Sequence, residues 1–272
     1  MPHLCIPKER QPRGKCRGRN GYSGYVLGVE AAFVLWGLPT PLATKWRSVF
    51  ERLLDDDERA RAAGLVFAPD RDAFIVGHAL LRLALSMHTD RTPAESWRFS
   101  RPPGGKPRLA GARSEEGPAF SMSDARGIVA CCVADEGPVG IDVEELLAAP
   151  PDAALVAHAC TPSEQAIVRE AGPERAALVF TQLWTIKEAV AKAIGAGPDL
   201  PLGQISCALD PPRVVALPAG ASAATTWQID MLCPTETTVL TLTQACRADR
   251  RKPFSIQHVT DELCMQLLGE SP

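Results

Sequence analysis

Apolar positions recur along the chain with two different periods, and the changes of period mark out its elements. Glu30 to Trp36 is an apolar run that reads as a first strand. Residues 45–64 (KWRSVFERLLDDDERARAAG) carry helical spacing, with a break expected near Asp55 to Asp57. Asp70 to His88 reads as a second helix. Its Phe74, Gly77, Ala79, Leu80, Leu81, Leu83 and Leu85 are too dense for one stripe and predict burial on more than one face. WRFS at 97–100 suits a short strand, and the Pro- and Gly-rich RPPGGKPRLAGARSEEGP after it reads as a long loop. Strands are expected at 119–122, 127–133 and 138–143, helices at 152–159, 162–171 and 175–195, and a hairpin at 226–233 and 237–246. Thr161-Pro162 with Glu164 has the form of a helix start: a cap, a proline at the first position and an acid in the first turn. The segment 1–28, rich in Gly, Arg, Lys and Pro, reads as a disordered basic tail, and the segment after about 250 as a polar one.

Helices and strands are mixed without strict βαβ alternation, which predicts an α+β fold of helices over mostly antiparallel sheet. With 272 residues, 46% of them apolar, the chain can build one large domain or two small ones. A net charge of −3 argues against a general nucleic-acid footprint, although residues 8–19 are locally basic. No apolar run approaches a membrane span. The nine cysteines show neither C-x-x-C nor zinc-like Cys/His spacing, and no apolar signal segment stands in front. They are expected as reduced thiols of a cytoplasmic protein.

The chemistry concentrates in VGIDVEELL, residues 139–147. Asp142 and Glu144 stand two apart on a strand, so both face the same side, and a bare pair of like charges there is costly. Glu188, in the helical FTQLWTIKEAVAKAIGAG (180–197), is a third candidate for the same site. Three carboxylates suit a hard cation such as magnesium, which fills its remaining positions with water and substrate phosphate. The plainer alternative is a solvated Glu144 at a strand end and an ordinary Glu188–Lys192 helix pair. Lys106 in GGKP follows glycines that let backbone approach an anion, although the spacing is not that of a Walker loop. Ser121 and Ser123 share a face of FSMSD, but no histidine context or G-x-S-x-G supports a serine nucleophile. His78, on an apolar helix, is expected as a satisfied core residue.

GKP, F-x-x-S, GIDVE and W-[ST]-x-KE-A-x-x-K follow one another in a set order, and in this the sequence resembles the 4′-phosphopantetheinyl transferases of the two-lobed, single-chain type, from about Ala31 to Arg247. GIDVEE and LWTIKEAVAKAIGAG are the most specific parts. The resemblance implies two similar α/β lobes about a pseudo-twofold axis, expected at 29–134 and 135–250, between the basic tail 1–28 and a C-terminal tail 251–272, with the active site in the cleft. It implies transfer of the phosphopantetheine arm from coenzyme A to a serine of an apo acyl or peptidyl carrier protein, of fatty-acid, polyketide or peptide synthases. Adenosine 3′,5′-bisphosphate leaves. The matching motifs imply Asp142, Glu144 and Glu188 as magnesium ligands, Glu188 also as possible base, and Lys192 as a catalytic phosphate contact. Lys106, Ser123 and Arg61 would bind coenzyme A. Arg82 is open between ligand contact and structural salt bridge, and the partner of Lys187 is open too. No membrane or nucleic-acid partner is expected, and two fused lobes would act as a monomer.

One position departs from the family pattern. Where a histidine is expected beside the nucleotide's phosphate, S-H-[ST] reads Ser123-Asp124-Ala125. A carboxylate repels a phosphate dianion. Asp124 could bond to backbone at the strand end, pair with a basic residue such as Arg126, or mark a changed coenzyme site. It is also the sole support for a rival reading, a catalytically impaired homologue that binds carrier protein or nucleotide only. A second rival is another magnesium enzyme acting on a nucleotide diphosphate.

Overall fold

The computed structural model describes residues 32–89, 92–100, 102, 105–111, 117–135, 137–197, 200–219, 226–246 and 253–269; the expected basic tail 1–28 lies outside the described residues. The chain opens with β1 (Phe33–Gly37) and three helices, α1 (Pro39–Leu53), α2 (Asp56–Gly64) and α3 (Ala68–His88). The helix expected at 45–64 is two helices, and the break falls where the acids predicted it. Asp55 caps α2 by accepting from the Glu58 N–H at 2.9 Å, while Glu58 accepts from the Asp55 N–H at 3.0 Å. A short strand pair, β2 (Phe99–Ser100) and β3 (Arg108–Leu109), forms here, with β3 inside the segment expected as one long loop, and the hairpin β4 (Ala119–Ala125) and β5 (Ile128–Ala134) follows.

The same order then recurs. β6 (Val139–Glu145) leads into α4 (Ala153–Ala159), α5 (Pro162–Glu170) and α6 (Pro173–Ile194). A strand pair absent from the sequence reading, β7 (Ser206–Leu209) and β8 (Pro212–Ala216), precedes the hairpin β9 (Thr226–Leu232) and β10 (Thr238–Cys246). In both halves the opening strand pairs antiparallel with the last strand of the closing hairpin, β1 with β5 and β6 with β10.

Residues after 250 are not simply a polar tail. β11 (Ser255–His258) pairs parallel with β1, making the sheet order β11-β1-β5-β4, and α7 (Asp261–Leu268) follows. Thr260 caps α7, Cys264 is buried in the first core, and Asp261 accepts from the Trp46 indole N–H at 3.1 Å and from Lys45. Val259, Leu263, Cys264, Leu267 and Leu268 carry this docking onto the first core, so the expectation of a polar tail is corrected.

Strand alternation sorts side chains into three cores. Val129, Cys131 and Val133 of β5 join α1 and α3, while Ile128, Ala130 and Cys132 meet Val139, Ile141 and Val143 of β6 and Leu240 and Leu242 of β10. The third core lies around α6. Two buried ion pairs fix the helices. Lys187 Nζ donates to Glu164 at 2.5 Å and to the Ala159 and Leu202 carbonyls, which identifies its partners as structural. Arg82, fully buried, pairs with Glu58 and donates to the Trp97 carbonyl at 2.6 Å, so salt bridging is its observed role. The seven cysteines among the described residues are free thiols.

Candidate active site at the junction of two sheets

β4 and β6 are sheet edges that lie side by side, and serine hydroxyls join them. The Ile141 N–H donates to Ser121 Oγ at 3.2 Å and the Val143 N–H to Ser123 Oγ at 3.4 Å. Ser123 also donates to Asp142 Oδ1 at 3.0 Å and accepts from Lys192 Nζ at 2.8 Å, so its one proton and both lone pairs are used. Lys192 Nζ donates to Asp142 Oδ1 as well, at 2.6 Å. The alternation that sends Val139, Ile141 and Val143 into the inter-sheet core leaves Gly140, Asp142 and Glu144 on the side of α6. Gly140 lets that helix come close: a Cβ there would stand 1.9 Å from the Ala189 carbonyl oxygen.

Trp184, Glu188 and Lys192 follow at four-residue spacing on one face of α6. Sequence reasoning gave Trp184 no role, although this spacing was there to be read. Its indole N–H donates to Glu144 Oε1 at 3.2 Å. The carboxyls act on one another. Burial pushes Glu144 up to about 7, aided by Asp142 and Glu188 and opposed by Trp184 and Lys192. Burial also raises Asp142, which is 2% exposed, against the pull of Lys192 and Ser123. Glu188 is raised by burial and by Asp142, with Lys192 opposing.

Among the described residues no three His, Cys, Asp or Glu side chains form a ready metal cluster. The donor chemistry nevertheless fits a cation. Asp142 Oδ2 is buried without a hydrogen-bond partner, and two further carboxyls beside it are held protonated more readily than in water. Removing protons there costs stability. Between about 4.5 and 7 the folded chain holds a Glu144 proton that the unfolded chain releases, so stability falls as pH rises through this window. Melting temperatures of chelator-treated protein should decline across it, and less in Glu144→Gln; parallel profiles for the two proteins would remove Glu144 as the cause.

The other expected ligands stand apart from this group. Lys106 Nζ donates to the Val139 carbonyl at 2.8 Å, and burial lowers it to about 8. The guanidinium of Arg61 lies 4.9 Å from the centroid of Phe74, which stacks on His78 at 4.1 Å. His78 is buried as expected, with Nδ1 2.8 Å from Glu58 Oε1. Asp124 is exposed, and among the described residues it makes neither the backbone hydrogen bond nor the Arg126 pair that would neutralise it.

Residues 138–242 match the model of the 4′-phosphopantetheinyl transferase superfamily. The 4′-phosphopantetheinyl transferase HetI of Nostoc sp. is 29% identical over 205 residues, which cover 75% of this chain and 84% of that protein. A Synechocystis sp. protein provisionally named as a 4′-phosphopantetheinyl transferase is 29% identical over 156 residues, 57% of this chain and 63% of its own. The matched segment contains β6 and α6, the two elements that carry Asp142, Glu144, Glu188 and Lys192.

Proposed function

Because the chain belongs to the 4′-phosphopantetheinyl transferase superfamily, we propose that it moves the 4′-phosphopantetheine arm of coenzyme A onto a serine of an apo acyl or peptidyl carrier protein. The observation that carries this reading is the convergence of Lys192, Asp142 and Ser123 where one half of the fold meets the other. The repeated element order supports two lobes, at about 29–134 and 135–250, related by a pseudo-twofold axis with coenzyme A in the cleft between them. The chain would act as a cytoplasmic monomer, since the two proposed lobes belong to one polypeptide.

Asp142, through its orphaned Oδ2, together with Glu144 and Glu188 would hold magnesium. A bound dication supplies neutralisation of the charge that develops on the leaving phosphate. Trp184 orients Glu144 toward the same place. Lys192 and Ser123 receive phosphate oxygens of the donor, exchanging part of their present bonding to Asp142 for it. Lys106 and Arg61 would bind the rest of the nucleotide. Glu188 takes the proton of the acceptor serine, directly or through water. The serine oxygen then bonds to the phosphorus that carries the pantetheine, and adenosine 3′,5′-bisphosphate leaves with the electrons of the broken P–O bond.

Intact-protein mass spectrometry tests this. An apo carrier protein incubated with the chain, coenzyme A and magnesium should gain one phosphopantetheine, and should gain nothing with EDTA. No gain across several acyl and peptidyl carriers would favour the impaired homologue.

A further inference from the structure

Asp124 ends the row Phe120, Met122, Asp124 that alternates toward α3. Its cross-strand partner is Val129, and a Cβ on Gly77 of α3 would meet both Met122 and Val129. This packing sets Asp124 beside α3, where partial burial raises its carboxyl, opposed by Lys192 and His78 and aided by Asp70. The groups that could answer it are already committed: Lys192 bonds to Asp142 and Ser123, and the His78 ring to Glu58. Arg61, which would meet the nucleotide in the reading above, lies over Phe74 and pairs with neither Asp124 nor Asp70 among the described residues. Neither Asp124 nor Asp70 has an ion-pair partner among the described residues, so two carboxyls stand near one another beside α3 with no bonded cation.

A donor whose diphosphate is received by Lys192 and Ser123 runs past Asp124, the next residue along β4. The diphosphate is needed for the transfer, whereas the phosphate monoester on the ribose of coenzyme A takes no part in bond making or breaking. That monoester is a dianion near neutral pH and is the group two carboxylates disfavour most. We propose that this wall makes the ribose phosphate dispensable, so that 3′-dephospho-coenzyme A serves as a phosphopantetheine donor alongside coenzyme A. The inference rests on the transferase reading above. With the shorter donor the same P–O bond breaks, the serine proton goes to the same base, and adenosine 5′-phosphate leaves.

The test compares kcat/KM for the two donors with the full chain and one apo carrier protein, following carrier mass and nucleotide release. The two values should lie within about tenfold, the worth of one modest charge interaction. Asp124→His, which replaces repulsion with a donor, should lower KM for coenzyme A by roughly tenfold and leave the shorter donor unchanged. Asp124→Asn should move the same ratio in the same direction by less, which keeps the test open if the histidine variant folds poorly. Transfer from coenzyme A that exceeds the other by more than about a hundredfold, with adenosine 5′-phosphate undetected, would overturn the inference and leave the transferase reading standing. Transfer from neither donor would overturn both.

Discussion

Lys192→Met is expected to lower kcat/KM for carrier modification by at least about a hundredfold, the scale on which loss of one preorganised donor to developing charge is felt. Lys192 belongs to α6, yet its ammonium lies 2.8 Å from Ser123 on β4 and 2.6 Å from Asp142 on β6. It is the cation that three elements share. The fold is expected to survive the change, because the Lys192 side chain is 31% exposed and Asp142, already pushed up by burial, can take a proton in place of its partner. Protein of normal secondary structure that modifies carrier protein at the original rate would refute the assignment. A competing account gives Lys192 only the task of balancing Asp142. The double variant Lys192→Met, Asp142→Asn separates the two, since it removes both charges together. Recovery of transfer in the double variant would support charge balance; continued loss is the expected result, because the phosphate contact and the Asp142 carboxylate are then both gone.

How much of this could be read in advance depends on the distance over which each feature is decided. Asp142 and Glu144 announce a shared face by their spacing, and Glu188 and Lys192 by theirs, so local periodicity already brings four of the site residues into two pairs. Lys187 and Glu188 show the limit. They are adjacent in sequence and both charged, but successive helix positions turn about 100° apart. One ammonium is therefore buried against Glu164 while the neighbouring carboxyl faces the Asp142 cluster. Only the positions of α5 and of the turn at Leu202 decide that, and neither is local. Arg82 is similar, its partners lying on α2 and at Trp97. The C-terminal β11 and α7 were hidden for a different reason. Their stabilising contacts are with β1 and Trp46, more than two hundred residues earlier, and although α7 carries Leu263, Cys264, Leu267 and Leu268 toward the first core, one short helix does not say what it docks on. Asp124 was visible as an oddity, but whether it was neutralised depended on neighbours from α3 and α6 that the sequence does not place.

Gly140→Ala is expected to cost at least about 3 kcal/mol, the upper part of the range for overpacking a close-packed interior. The added methyl would stand 1.9 Å from the Ala189 carbonyl oxygen and 2.7 Å from the Ala193 amide nitrogen. Both are backbone atoms in the C-terminal turns of α6, so no rotamer change relieves the contact; that end of the helix must move or bend away from β6. Such a shift would carry Trp184, Glu188 and Lys192 away from Glu144 and Asp142, because these residues share one face of the same helix. Stability and transfer should therefore fall together, unlike in Lys192→Met, where the loss is in transfer with the fold retained. Urea denaturation would measure the first and carrier-protein mass the second. A variant with an unchanged midpoint would show that α6 and β6 do not meet as closely at Gly140 as described. One that unfolds at lower urea yet retains full transfer would show that the separation of α6 from β6 does not set the geometry of the site. The expected joint loss would make Gly140, which touches no substrate, the residue that lets a strand carrying two acids and a helix carrying an acid and a lysine act as one site.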